Sequence, residues 1–99
     1  VDAVILPTIH HNGTSAQALY DQAIDVARAA RQLLTAMQSA WPNGRDYYPQ
    51  GEDALKVASA EWDNLALGVV LVEANMMALA EHASNAVIRE DAARKRIAQ

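Results

Sequence analysis

Two short polar stretches hold the residue types that could do chemistry. The first, IHHNGTS at residues 9–15, sets His10, His11, Asn12 and Thr14 just ahead of a helix start. Backbone N–H groups at such a start carry positive dipole character and accept carboxylates and phosphates. The second, WPNGRDYYPQGED at 41–53, carries Arg45, Tyr47 and Tyr48. An arginine fork pairs with phosphate or carboxylate, and tyrosine faces stack on bases while their hydroxyls hydrogen-bond. Those seven residues suit a small anionic ligand of nucleotide type. Each stretch also has a plainer reading. Asn12 and Thr14 can simply turn and cap, and a tyrosine can fold onto Trp41 or Trp62 as a lid on the core.

Catalytic patterns are weaker. Di-iron bundles need paired carboxylates with an E-x-x-H spacing, and this chain has none. His82 directly follows Glu81, so on a helix the two point about 100° apart and cannot chelate one ion. Glu61, Glu73, Asp21 and Asp25 are metal candidates by type alone and read as solvated helix faces. Cysteine is absent, no serine sits in a strand-turn-helix elbow, and phosphate-loop, dinucleotide and metalloprotease fingerprints are missing. A non-catalytic protein without metal or cofactor is the expectation.

The elements that would position these residues follow from periodicity. Residues 1–13 read as an extended arm, because AVIL is short, Pro7 cannot continue a helix and HNG signals a turn. Helix 1, expected over 14–41, begins at a capping box, TSAQ, with Thr14 accepting from the N–H of Gln17 and the Gln17 side chain reaching back. Its apolar positions fall at 16, 19, 23, 26, 30, 33, 37 and 40, the pattern of a bundle helix. The row Ala16, Ala23, Ala30, Met37 is small enough to admit a neighbouring helix closely. Residues 42–51 form the loop, and helix 2 is expected over 52–97, either continuous or broken near 84–86. Beyond that point Glu90/Arg94 and Asp91/Lys95 stand at i,i+4 spacing.

Helix 2 is apolar at 58, 62, 65, 69, 72, 76, 79 and 83, and again along Leu67, Leu71, Ala74 and Ala78. One partner helix cannot cover both stripes, so self-association through helix 2 is expected. The expected fold is all-α: an antiparallel helical hairpin with an extended arm, assembled into a homo-oligomeric bundle. In an antiparallel pair of hairpins, the loop of one copy would meet the histidines of the other, giving a composite site.

Composition sets the outer bounds. At 99 residues and 52 % hydrophobic content the chain is one domain rather than a disordered tail. A net charge of −4 argues against broad nucleic-acid binding, although IREDAARKRIAQ concentrates four of the eight basic residues. The apolar run LALGVVLV stops well short of the ~20 residues of a membrane span. A cytoplasmic protein is therefore expected.

PTIHHNGTS, one helix, PNGRDYYPQG and a second helix together resemble small proteins encoded in bacteriophage and prophage genomes. The resemblance covers roughly residues 6–83, with NGTS and GRDYY its specific parts. It implies an origin, and with it a host-cell cytoplasmic setting, more than an activity. Phages also carry helical-hairpin oligomers that sequester the nucleotide messengers of host immunity, an analogy of fold alone. The expected function is accordingly a phage accessory protein that sequesters a nucleotide-type anion to counter host defence. The alternative is a virion component or a protein-interaction module and inhibitor.

Overall fold

The structure, a computed structural model, describes residues 3–98, so the first two positions of the expected arm lie outside the described residues. Three helices follow the arm: α1 (Ala16–Ser39), α2 (Gly44–Tyr47) and α3 (Ala54–Ala98). The two long helices pack against each other as an antiparallel hairpin, and no strand occurs among the described residues. Two contacts fix their register. Arg31 Nε donates to Glu73 Oε2 at 2.8 Å, and Trp41 meets Trp62 edge to face, with centroids 5.5 Å apart and planes at 67°.

Alanine makes the seam between the helices. Ala16, Ala23, Ala27 and Ala30 of α1 are buried, as are Ala58, Ala80, Ala83 and Ala86 of α3. The alanine row read from the sequence is thus the packed face, except that half-buried Met37 closes it near the loop. Methyl-sized contacts bring helix axes toward the short end of the usual range of roughly 8–10 Å. The consequence is a thin core, in which no large side chain among the described residues is fully buried.

Local signals account for the helix ends, with some shifts from expectation. Ser15, not Thr14, caps α1: its hydroxyl accepts from the Ala18 N–H at 3.1 Å. Gln17 does not reach back to the cap, because its amide donates to Asp21 Oδ1 at 3.1 Å, an i,i+4 contact one turn on. At the other end α1 stops at Ser39, ahead of Pro42, rather than at 41. The loop is itself structured. Asn43 caps the single turn of α2, accepting from the Asp46 N–H and donating to Asp46 Oδ2 at 2.9 Å.

A 3-10 turn, Tyr48–Gln50, then leads to Gly51, whose φ of 112° is open to glycine with little strain. That turn delays α3 to Ala54, two residues past the expected start. From there α3 runs unbroken to Ala98. Ser84 and Asn85 do not interrupt it, because Ala83 and Ala86 on either side are buried. Near its end Arg94 pairs with Asp91 rather than with the expected Glu90.

The described part of the arm lies along α3 as extended chain ending in a turn at His11 and Asn12. The Val4 N–H donates to Asn75 Oδ1 at 3.3 Å, and His82 Nε2 donates to the Pro7 carbonyl at 2.7 Å. Asn75 and His82 are seven residues apart, two turns along one face of α3. Ile5, between those anchors, is 97 % exposed.

The molecule is long, 73 × 23 × 18 Å. Its radius of gyration of 20.4 Å far exceeds the ~13 Å of a compact domain of this length. Within α3, an 18-residue stretch has mean hydropathy 1.4 and is only 6 % buried, long and apolar enough to cross a bilayer by length and composition. The sequence reading ended the apolar run at Glu73 and Asn75, but the helix continues through both into further apolar residues, Met76 to Ala80.

The anchors give a direct test of the arm. Replacing Asn75 or His82 by Ala is expected to cost about 1 kcal/mol each. Exchange of the Val4 amide, the arm N–H held by Asn75, should accelerate about fivefold while exchange along α1 stays unchanged. Unaltered exchange in the arm would show that these hydrogen bonds do not hold it.

Candidate functional site

The two polar stretches occupy opposite ends of the hairpin, as their positions in the sequence require. Twenty-four residues of α1 separate them, about 36 Å along the helix axis. Within one chain they form two surfaces and not one pocket.

At the arm end, the Gly13 N–H donates to the His10 carbonyl at 3.1 Å, closing a tight turn over HHNG. The imidazole of His10 folds over Gly13, where a Cβ would come within 2.9 Å of His10 Nε2. Glycine is thus required for this packing by space rather than by backbone angle. Ile9, His10, His11, Gly13 and Ser15 line a shallow concavity of about 400 Å³, and Glu90 of α3 completes its wall. Asn12 and Thr14 are exposed and lie outside that lining. The Glu90 carboxylate disfavours an anion in this concavity, whereas the two imidazoles can bond to one.

At the loop end, Tyr47 and Tyr48 line a concavity of about 210 Å³ together with Gly44, Gly51, Glu52 and Leu55. Arg45 is exposed on the neighbouring surface and does not line it. Tyr48 is 78 % exposed, so it is no lid on the core, while Tyr47 is half-buried. The tryptophans form their own pair beneath the loop. As at the other end, a carboxylate, here Glu52, sits where an anion would have to enter.

Of the four carboxylates considered as metal candidates, Glu61 is exposed and three have other engagements. Glu73 accepts from Arg31, Asp25 lies 4.0 Å from Arg28, and Asp21 accepts from Gln17. Sequence reasoning missed the polar pair Asn75 and His82, which hold the arm. Their seven-residue spacing, which sets both on one face of the helix, was the signal that could have found them.

The loop's two aromatic pairs separate structural from surface roles. Truncating Trp41 or Trp62 to Ala removes the edge-to-face contact and half-buried area, and should destabilise the hairpin by about 2–3 kcal/mol. Tyr48→Ser changes an exposed side chain and should stay within about 0.5 kcal/mol. Chemical denaturation of the three variants checks this ranking. A Tyr48→Ser loss as large as that of Trp41→Ala would make the tyrosine a packing residue.

No protein-family model matches the chain, and neither curated proteins nor solved structures offer a match, so its own geometry carries the functional reading.

Proposed function

We propose that this chain acts without catalysis, as a self-associating helical module whose apolar helix faces are its working surfaces. The observation that carries the reading is the surface it leaves open. The chain exposes 7428 Å², whereas a compact monomer of 10.7 kDa exposes roughly 5500 Å². The excess is comparable to one partner's share of an obligate homodimer interface.

Much of what lies open is apolar. Val26 and Leu33 on α1, with Leu65, Leu67 and Val72 on α3, are 45–60 % exposed. Val26, Ala29, Ala30 and Leu33 form an open groove with Val69 and Val72. A protein surface suits this groove better than a bilayer does. Spanning a membrane with the central part of α3 would carry the charged Asp21, Asp25 and Arg28 of the attached α1 into hydrocarbon. A virion component, or an accessory protein that docks on another protein, uses such faces directly, and the phage-like PTIHHNGTS and PNGRDYYPQG segments suit either.

A second reading, sequestration of a small nucleotide-type anion, draws on Arg45 and Tyr48, both exposed in the loop. It needs another copy to bring His10 and His11 to that loop. The carboxylates of Glu52 and Glu90 count against each concavity acting alone as an anion site.

Native mass spectrometry of the purified protein separates these readings. A dimer or larger oligomer without added mass is expected. Leu65→Asp, a change at a position already open in the single hairpin, should dissociate the oligomer while leaving helicity unchanged. Retained mass of a few hundred daltons per site, lost in Arg45→Ala, would favour sequestration. A wild-type monomer at micromolar concentration would overturn self-association.

A further inference from the structure

Gly68 stands a third of the way along α3, well inside the helix, where glycine is a poor residue. Nothing in the hairpin requires it: a Cβ there would meet open space, and its φ is not in the left-handed region. Its neighbours one turn away are Leu65, Leu71 and Val72, which are 60, 38 and 46 % exposed. A bare backbone patch flanked by unburied large apolar side chains is what close approach of another helix requires. Among the described residues, the arm meets this side of α3 at Asn75 and His82, one and two heptads beyond Gly68.

We propose that a second copy of this chain docks antiparallel across Gly68, with the two Gly68 backbones near a twofold axis. This rests on the self-association reading and assigns its face and direction. The excess exposed surface already described is of the size such a pair buries. A twofold also matches ends that are otherwise left bare. Counting equal numbers of residues either side of Gly68 sets Val57 opposite the partner's Leu79 and Glu61 opposite the partner's Asn75. Val57, 59 % exposed, then lies beside the partner's arm, where Ile5 is 97 % exposed.

The same register brings the loop of one copy toward the histidine turn of the other. Glu52, on the Tyr47/Tyr48 concavity, comes opposite the partner's Ser84. That is about 9 Å along the helix from Glu90, which lines the His10/His11 concavity. Antiparallel docking therefore joins the two polar surfaces that a single chain holds apart.

The absence of native cysteine allows a clean test. Leu65→Cys and Leu71→Cys lie equal distances either side of Gly68 and leave the glycine unchanged; the two full-length variants are oxidised singly and as an exchanged one-to-one mixture, with helicity confirmed by circular dichroism. A disulfide needs Cα atoms roughly 4.4–6.8 Å apart, and the antiparallel register sets Leu65 opposite the partner's Leu71. The expected result is an oligomeric wild type in which the mixture cross-links at least tenfold faster than either variant alone. An oligomer in which a single variant cross-links as fast as the mixture, or the mixture does not cross-link, overturns the antiparallel register but leaves self-association standing. A monomeric wild type overturns both.

Discussion

Alanine at the helix seam constrains everything else in this molecule. Because the positions where α1 meets α3 are filled by methyl groups, the helices draw close and leave little room for larger side chains between them. Leucines, valines and methionines are then displaced to the two rims of the seam, where one hairpin can only half-cover them. Each buried alanine also contributes little apolar area, far less than a buried leucine. A domain of this length is already short of buried surface, and a core of alanines makes it shorter. The exposed apolar rims are a consequence of the seam rather than a separate feature.

Polar contacts regulate how this seam is framed. Arg31 and Glu73 tie the helices across one rim, the tryptophan pair closes the loop end, and the arm's two anchors are Asn75 and His82 of α3. Between the tryptophans and those anchors, Leu65, Leu67 and Leu71 around Gly68 stay exposed. The two polar surfaces flank that stretch, with a histidine turn at one end and a tyrosine loop at the other. On the proposed self-association, it is a second copy that would bring them together.

The seam and the hairpin were legible in the sequence because both depend on spacing alone. Alternating three-four steps, a seven-residue alanine row and the Pro and Gly punctuation at 42–51 all survive tertiary packing. Details that depend on competition between neighbours were not legible. Thr14 and Ser15 are both capable caps; Ser15 takes the Ala18 N–H while Gln17 turns to Asp21. Ser84 and Asn85 weakened the helical pattern locally, but burial of Ala83 and Ala86 overrode that weakness. Of the candidate site, the residue types were readable and their separation by the length of α1 was too. The carboxylate of Glu90 beside the histidines was not, since α3 brings it there only after folding, whereas Glu52 already lay in the loop stretch.

The central claim is that one hairpin is an incomplete folding unit. Thermal unfolding measured across a hundredfold range of protein concentration tests it most directly, because association only in the native state makes Tm depend on concentration. A Tm that climbs by several degrees from micromolar to hundreds of micromolar is the predicted result. A Tm independent of concentration over that range, with the protein monomeric throughout, would contradict the account.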